Sequence, residues 1–375
     1  MRVPLLDLSE QSRLLAEPLR REFDEIIASQ SFILGPKVEQ FERALAEYCG
    51  AKHAVGVSSG TDALLAVLMA LGIGPGDAVI TSPYTFFATA GCIARVGAVP
   101  IFVDIDRETF NLSPTALTEF LKGLFHRNVK NQLVDFAGRI IKAIVPVHLF
   151  GRPAALDGLA ALGRPLLEDA AQAFGAPGIA TTGVCSTFSF FPTKNLFALG
   201  DGGLVACIDD AVAETVRKLR FHGSRDKQTF ELIGVNSRLD AIQAAALRVF
   251  LPHLAGWNAA RREAAARYAE LGLGDVVELP ADEPGHVYHM YVVRSPERAR
   301  IAEALRDAGI ASASYYVTPL HLQPAMAYLG YRPGSLPETE RAADENLALP
   351  MWGGIGPDEQ EAVVATVKSA VGVAV

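Results

Sequence analysis

The sequence lacks the features that mark several protein classes. Its four cysteines, at positions 49, 92, 185 and 207 of 375, form no CxxC pair, which argues against a disulfide framework or a structural zinc site. Lysine and arginine (34) are outnumbered by aspartate and glutamate (42), whereas domains that coat nucleic acid carry a basic excess. No run reaches the roughly 18 apolar residues of a membrane span, and charges throughout the first twenty residues exclude the apolar centre of a secretion signal. We therefore expect a cytoplasmic protein with reduced thiols and no nucleic-acid, membrane or metal partner.

Apolar residues are abundant and regularly arranged in the first two thirds of the chain. Half of all residues are hydrophobic, which is enough for a large core. Short β-branched runs alternate with helical patterns, and this alternation predicts a mostly parallel sheet covered by helices on both faces. The predicted strands are 54–57, 78–81, 99–103, 141–147, 165–167, 186–191 and 204–208, and the predicted helices 62–71, 86–96 and 239–251. The polar, aperiodic segment 125–138 predicts an extended surface loop.

The pattern of predicted strands and helices changes near residue 275. Strand-like segments at 287–294 and 311–317 are interspersed with helical patterns at 296–308, 338–347 and 357–371. We expect a large α/β domain over residues 1–250, with a helical segment at its N-terminus, and a smaller α+β domain over residues 251–375.

The segment SSGTDAL, residues 58–64, follows a predicted strand and opens a helix. Gly60 allows a tight turn, and the free N–H groups of the first helical turn, with the Thr61 hydroxyl, suit a phosphate. The alternative is that Ser59 or Thr61 is an ordinary helix N-cap. The nearby GIGPGD, residues 72–77, follows a helix, so it is typical of a helix C-terminus and not of a dinucleotide site.

Two charged residues follow apolar strands where open α/β sheets bind ligands. Asp169 ends LLED, and if buried there it needs a cation, for example a protonated heterocyclic nitrogen. Lys194 follows FSFFPT, and partial burial would lower its pKa and free the amine as a nucleophile or Schiff-base former. A solvated strand end for Asp169 and a surface position for Lys194 remain the alternatives. His148, beyond another strand, is more typical of a structural histidine.

Taken in order, five segments resemble one known family. They are SSGTDAL, SPYTFFAT, EDAAQAFGA, FSFFPTKN with ALGDGG, and HGSRDK with GVNSRLDAIQAA. The family is DegT/DnrJ/EryC1/StrS, the pyridoxal-phosphate (PLP) aminotransferases of fold type I that act on keto sugars, usually nucleotide-linked. The resemblance covers residues 32–323. It implies a large domain with a mostly parallel seven-stranded sheet flanked by helices, and a smaller C-terminal α+β domain.

The resemblance also implies roles for individual residues. Lys194 matches the lysine that holds PLP covalently, and Asp169 the carboxylate that pairs with the pyridine nitrogen. Gln172 matches a glutamine near the phenolic oxygen, and Phe86 an aromatic ring stacked on the cofactor. The phosphate-binding positions correspond to Gly60, Thr61, Asp62 and Ser189, with Asn236 reaching over from the neighbouring subunit of a homodimer with shared sites. Tyr316, His321 and Arg238 are candidates for substrate contacts.

The function implied is the transfer of an amino group from an amino acid to a keto sugar, with the cofactor cycling between PLP and pyridoxamine phosphate (PMP). L-Glutamate, converted to 2-oxoglutarate, is the family's usual donor, and we expect a nucleotide-linked 3-keto or 4-keto hexose as acceptor. Two alternatives stay open. One is a regulatory member that binds PLP or a sugar without turnover, against which Lys194 argues. The other is a fold type I PLP enzyme acting on amino acids, against which the Asn236 segment and the PLHLQ run argue.

Overall fold

The computed structural model describes residues 2–124, 126–127, 132–135, 137–161 and 163–372. Its helices are α1 (Ser9–Ser29), α2 (Pro36–Cys49), α3 (Gly60–Ala70), α4 (Ala88–Arg95), α5 (Pro114–Leu124), α6 (Leu156–Ala160), α7 (Asp210–Leu219), α8 (Ala241–Phe250), α9 (Leu254–Glu270), α10 (Arg298–Asp307), α11 (Pro337–Glu345) and α12 (Pro357–Ala370). Its strands are β1 (His53–Val57), β2 (Asp77–Thr81), β3 (Val99–Phe102), β4 (His126–Arg127), β5 (Leu133–Val134), β6 (Ile140–Val145), β7 (Leu167–Asp169), β8 (Cys185–Ser189), β9 (Gly203–Cys207), β10 (Tyr291–Arg294) and β11 (Asn346–Leu349). Of the described helices, none combines the length and apolar composition that crossing a membrane needs.

A seven-stranded sheet forms the centre of the molecule. Strand β2 pairs in parallel with β3 and β6, and β7 pairs in parallel with β8. Parallel bridges from Ile144 to Leu166 and from Val147 to Asp169 join β6 to β7. Strand β9 runs antiparallel to both of its neighbours, β8 and β1. The order is therefore β3-β2-β6-β7-β8-β9-β1, which confirms the predicted mostly parallel sheet of fold type I.

Helices cover both faces of this sheet, and the composition of the strands explains why. Strands β2 and β9 are buried along their whole length, as continuous apolar strands between two helical layers must be. On one face α3 contributes Leu65 to a core cluster with Val55 and Val205. On the other face α2 and α8 contribute Phe41 and Leu247 to a second cluster. This layering fixes the strand ends that carry the site.

The C-terminal part contains β10 and β11, paired antiparallel, and a third core cluster. Residues near the N-terminus join it, because Val3 pairs with Ile310 and Leu5 accepts a hydrogen bond from the Met351 N–H at 3.1 Å. A short 3₁₀ turn, Leu251–His253, connects α8 to α9. The division into domains at residue 250 stays a prediction.

Three predictions of local structure need correction. The predicted strand 311–317 is wrong: Ala313 forms a single bridge to Ala348, and the chain then turns at Tyr315. The helix predicted to reach residue 347 ends at Glu345, and β11 begins at the next residue, Asn346. Within the predicted loop 125–138, strands β4 and β5 pair antiparallel and β5 extends the sheet beside Ile140, whereas residues 125, 128–131 and 136 lie outside the described residues.

Candidate active site

Asp169 is a buried carboxylate at the end of β7. The Thr89 hydroxyl, on α4, donates to its Oδ2 at 2.7 Å, and the Ala171 N–H donates to its Oδ1 at 3.3 Å. Burial raises the pKa of Asp169, while these two hydrogen bonds and the nearby Lys194 ammonium act in the opposite direction. Because the carboxylate is almost without solvent, its ionised form is stable only beside a cation.

Lys194 lies in the turn that follows β8, where its N–H donates to the Phe191 carbonyl at 2.8 Å. Burial lowers the pKa of the half-buried lysine to about 8, although Asp169 opposes the shift. At pH 7 roughly a tenth of such an amine is neutral and nucleophilic. The next residue, Asn195, fixes the turn by donating to Asn258 Oδ1 at 2.7 Å and to the Val287 carbonyl at 2.8 Å.

Two glycines bring the start of α3 against the ends of β8 and β9. A Cβ on Gly60 would lie 2.7 Å from the Ser189 Cβ, and a Cβ on Gly203 would lie 2.2 Å from the Ser59 carbonyl oxygen. Real Cβ atoms essentially never approach so closely. The glycines therefore let the free N–H groups of the α3 N-terminus lie directly beside Ser189, a cradle suited to a phosphate.

Several side chains in the turn before α3 form hydrogen bonds with one another or with its backbone. Ser59 is the N-cap of α3, accepting a hydrogen bond from the Asp62 N–H at 3.1 Å. The Asp62 carboxylate accepts a short hydrogen bond from the Ser58 hydroxyl, so this carboxylate orders the turn. The Thr61 carbonyl accepts from the Cys92 thiol at 3.3 Å, which ties the cradle to α4, the helix that also contacts Asp169.

Gln172 and Tyr316 form a second polar contact close to Asp169. The Gln172 amide donates to the Tyr316 hydroxyl at 3.1 Å, and its oxygen accepts from the Phe150 N–H at 2.7 Å. Burial raises the pKa of Tyr316, and the charge of Asp169 adds to the shift. The Phe86 ring, 60% exposed, lies 6.4 Å from the Tyr316 ring between centroids. An exposed aromatic face thus borders the tyrosine.

The remaining candidates lie elsewhere in this chain. Asn236 is exposed and pairs through its backbone with Phe221, whose ring lies 5.5 Å from the Arg238 guanidinium. His321 is buried and its Nε2 lies 3.1 Å from the Glu340 carboxylate. Its neighbour Leu320 donates to the Pro83 carbonyl, so this histidine supports the SPYTFFAT segment from behind.

A buried hydrogen bond between a histidine and a glutamate holds the strand end that carries Asp169. The side chains of His148 and Glu168 are fully buried and 3.0 Å apart. His148 Nδ1 accepts from the Ala154 N–H at 2.9 Å, so Nε2 carries the proton and donates to Glu168. The His148 N–H also donates to the Asp169 carbonyl at 3.0 Å. His148 therefore occupies a buried, structural position, as the sequence indicated. Its partner Glu168 directly precedes Asp169 in the chain.

Sequence reasoning missed Thr89 and the part played by Glu168. Thr89 lies inside SPYTFFAT, where a hydroxyl on the buried side of α4 was the available signal.

The assembled groups fit PLP: a glycine cradle for its phosphate, a buried carboxylate for a protonated ring nitrogen, and an amine of lowered pKa for its aldehyde.

Known proteins resemble this chain along nearly its whole length. A family model described as the DegT/DnrJ/EryC1/StrS aminotransferase family matches residues 14–368. A "Pleiotropic regulatory protein" of Geobacillus stearothermophilus is 45% identical over 97% of this chain and 97% of its own. UDP-N-acetyl-3-dehydro-alpha-D-glucosamine 3-aminotransferase of Acidithiobacillus ferrooxidans is 39% identical over 97% of this chain and 96% of its own.

Solved structures share the fold. DesV of S. venezuelae, in complex with a ketimine intermediate, has a TM-score of 0.90 and 37% identity, with 100% of both chains covered. NtdA from Bacillus subtilis, with bound cofactor PMP, has a TM-score of 0.87 and 29% identity, covering 99% of this chain and 85% of that one.

Proposed function

The chain belongs to the DegT/DnrJ/EryC1/StrS aminotransferase family, and we propose that Lys194 and Asp169 carry out its amino transfer. It is a PLP-dependent sugar aminotransferase whose cofactor alternates between PLP and PMP. One observation supports the assignment of residues above all others. The buried Asp169 and Lys194, an amine whose pKa burial lowers to about 8, follow the adjacent parallel strands β7 and β8, at the strand ends where an α/β sheet binds its ligand.

The residues around these two would hold the cofactor. The α3 N-terminus at Gly60 and Thr61, with Ser189, would bind the phosphate, and Asp62 would act indirectly by ordering that turn. Asp169 would keep the ring nitrogen protonated, and Phe86 would lie against a face of the ring. Gln172, already bonded to Tyr316, would approach the phenolic oxygen.

When bound, PLP supplies an electron sink for the C–H bond that breaks in the donor. The chain's own task is to move that proton. Lys194 is suited to it because its lowered pKa lets the amine accept a proton and release it again near neutral pH. Asp169 stays ionised by pairing with positive charge, and Thr89 fixes the orientation of its carboxylate.

For the acceptor we propose a nucleotide-linked 3-keto hexose. The A. ferrooxidans relative is named for a UDP-sugar with a 3-dehydro group. L-Glutamate is the proposed donor, giving 2-oxoglutarate. A panel of keto sugar nucleotides, differing in base and in keto position, would test the assignment; conversion of 4-keto sugars alone would contradict it.

The regulatory alternative has one observation in its favour: the G. stearothermophilus relative is named a pleiotropic regulatory protein. A non-catalytic binder has no need for a lysine of lowered pKa beside a buried carboxylate. Absorption spectroscopy separates the two functions. The PLP-loaded protein should convert to the PMP form when L-glutamate is added, and a spectrum indifferent to any amino donor would favour the regulatory function. Release of an eliminated product would instead indicate a lyase.

Two substitutions test the residues. Lys194→Ala should bind PLP without the covalent absorption band and should not transfer the amino group, because no amine is left to move the proton. Lys122→Ala, an exposed lysine on α5 paired with Glu119, is the matched control and should behave as wild type. Asp169→Asn should retain cofactor but react slowly; a wild-type rate would mean that Asp169 does not support the ring nitrogen.

We further propose a cytoplasmic homodimer with shared active sites. All four cysteines are free thiols, as in a reducing compartment. Large apolar side chains are exposed at the site, Phe86 and Phe191, and on the segment that precedes Asn236, Phe230 and Ile233. Asn236 is exposed among them and would reach the partner's phosphate cradle. Mixing Lys194→Ala with Asn236→Asp subunits should restore activity through one intact site per mixed dimer; no recovery would contradict a shared site.

A further inference from the structure

The segment that carries Asn236 is hydrogen-bonded to the phosphate cradle of its own chain. Ser237, the next residue, is fully buried although Asn236 is exposed. The Ser58 N–H, in the turn before α3, donates to the Ser237 hydroxyl oxygen at 3.2 Å, and the two hydroxyl oxygens also lie 3.2 Å apart. A direct contact therefore joins two serines that are 179 positions apart in the sequence.

The direction of these hydrogen bonds follows from the group at the end of the series. Ser58 gives its hydroxyl proton to the Asp62 carboxylate, which can only accept. The Ser58 oxygen must then accept the proton of the Ser237 hydroxyl. Ser237 thus accepts one hydrogen bond from the cradle turn and donates another to it, so both functions of its buried hydroxyl are used there.

The backbone beside this contact is held as well. The Ser237 N–H donates to the Arg220 carbonyl at 3.0 Å. The Arg220 guanidinium donates to the Gly56 carbonyl at 2.7 Å and to the Glu42 carboxylate, which accepts in turn from the Gly56 N–H at 2.8 Å. Gly56 belongs to β1, the strand that leads into the cradle turn. The strand, the turn and the segment of the asparagine therefore form one hydrogen-bonded unit.

Close packing limits movement within this unit. A Cβ on Gly56 would lie 3.1 Å from the Leu239 Cβ, an approach tighter than most Cβ contacts. On the other side, Asn236 pairs through its backbone with Phe221. The exposed side chain of Asn236 therefore belongs to a backbone whose position relative to its own phosphate cradle is fixed.

We propose that Ser237 is a positioning residue that links the phosphate cradle of one subunit to the asparagine supplied to the other. Phosphate in one cradle fixes the turn that contains Ser58, and the Ser237 hydroxyl passes this order to Asn236, which completes the partner's cradle. The two cofactor sites of the dimer are thereby coupled, and the coupling acts equally in both directions. This inference rests on the proposed homodimer with shared active sites.

Heterodimers purified through two different affinity tags allow one site to be observed at a time. The silent subunit carries Lys194→Ala and forms no covalent absorption band with PLP, whereas the reporter subunit keeps Lys194. Titration of the cofactor-free heterodimer with PLP then follows only the cradle of the reporter subunit, which receives Asn236 from the silent subunit. A substitution in the silent subunit that weakens this binding acts across the dimer.

Two substitutions in the silent subunit test the link. Ser237→Ala should weaken PLP binding at the reporter site by at least about fivefold, because the segment of Asn236 loses its side-chain hydrogen bonds to the cradle turn. Ser58→Ala removes the hydroxyl at the other end of the link and should weaken the same binding, so the test stays decisive if Ser237→Ala does not fold.

Ser186→Ala is the matched control. Ser186, on β8, is as fully buried as Ser237, and its hydroxyl has no hydrogen-bond partner among the described residues. In the silent subunit this substitution should leave binding at the reporter site unchanged. An equal loss with Ser186→Ala would overturn the proposal. So would a loss that Ser237→Ala causes only when it is placed in the reporter subunit, since Ser237 would then support no more than its own cradle.

Hydrogen–deuterium exchange of the cofactor-free protein tests the link without PLP. Amides of the peptide that contains Asn236 should exchange about twofold faster or more in Ser58→Ala than in wild type, because local opening costs less once one hydrogen bond is lost. Ser186→Ala should leave this exchange unchanged. An exchange rate that Ser58→Ala does not alter would refute the link within the chain.

Asn236→Ala in the silent subunit separates this inference from the shared site on which it rests. If Asn236→Ala weakens binding at the reporter site and Ser237→Ala does not, the shared site stands and the role of Ser237 is refuted. If neither substitution acts across the dimer, the shared site itself is refuted, and the coupling of the two cradles with it.

Discussion

Gly203→Ala should separate β9 from the α3 N-terminus and so weaken the phosphate cradle. The new Cβ would lie 2.2 Å from the Ser59 carbonyl oxygen and 2.8 Å from the Gly60 nitrogen. Both neighbours are backbone atoms, which cannot rotate away as a flexible side chain can. The Ser59–Gly60 turn must therefore move by about 1 Å to reach the spacing of an ordinary non-bonded contact.

That displacement has two energetic consequences. Overpacking of a close-packed interior typically costs about 1–3 kcal/mol, so we expect the free energy of unfolding to fall by about 2 kcal/mol. Hydrogen bonds tolerate only a few tenths of an ångström, and a bond to a charged group is worth about 1.5–3 kcal/mol. Loss of one phosphate contact should then weaken PLP binding by roughly tenfold to a hundredfold.

The measurements are titration of the cofactor-free protein with PLP and denaturation in urea. Gly200→Ala is the matched control in the same ALGDGG segment, because its Cβ would meet Gln243 at an ordinary 3.6 Å. It should bind PLP as wild type does. If Gly203→Ala matched Gly200→Ala in both measurements, the cradle would not depend on the close approach of β9.

Three other changes have expected outcomes of their own. In Glu168→Gln, the amide N–H₂ faces a donor, either the Gly183 N–H or the His148 Nε2–H, and one buried hydrogen bond is lost. The free energy of unfolding, measured by urea denaturation, should fall by about 1–3 kcal/mol. A smaller decrease would mean that His148 and Glu168 are not hydrogen-bonded as described. Lys194→Met should make the cofactor-free protein about 1–2 kcal/mol more stable at pH 7, after discounting for partial exposure. The unfolded lysine keeps its proton to about pH 10.5 and the folded one only to about pH 8, so the stability of the wild type rises between these pH values. The difference in free energy of unfolding between Lys194→Met and wild type should therefore shrink over this range. A constant difference would contradict the lowered pKa of Lys194. Arg261→Leu leaves three backbone carbonyls without their buried donor and should cost about 3 kcal/mol or more in the same assay, with Arg261→Lys losing less; equal losses would argue against the guanidinium contacts.

The central sheet could be predicted because its strands are short, apolar and separated by helices. The C-terminal part was harder. Segment 311–317 has the β-branched and aromatic residues of a strand, but it forms only one bridge to Ala348 before it turns. Strand β11 follows α11 without a break, so its four residues look like another helical turn. Its strand conformation depends on pairing with β10, a partner more than fifty residues earlier, which local pattern does not reveal.

The residues of the active site likewise fall into those that the sequence could reveal and those that it could not. Lys194 and Asp169 could be anticipated because each follows a strand, and parallel strands end at the same edge of a sheet. Thr89 carries no such signal, since a threonine in a helix is equally able to form a purely local hydrogen bond. The position of Lys194 also depends on Asn195, whose amide fixes the lysine turn to the Val287 carbonyl. Contacts of that kind arise from tertiary packing and leave no periodic trace in the sequence.

The pairing of Val3 with Ile310 has a consequence for how the chain matures during synthesis. The partner of Val3 is made roughly three hundred residues later, when the earlier, more local parts of the chain can already have folded. Leu5 and Leu6 line a small pocket together with Thr193, the residue before Lys194, and they reach their final positions only after the same event. A nascent chain halted before residue 310 would therefore carry the lysine and the carboxylate but would leave the pocket open to solvent. Closure of this pocket is thus a late event in folding, coupled to docking of the C-terminal strands.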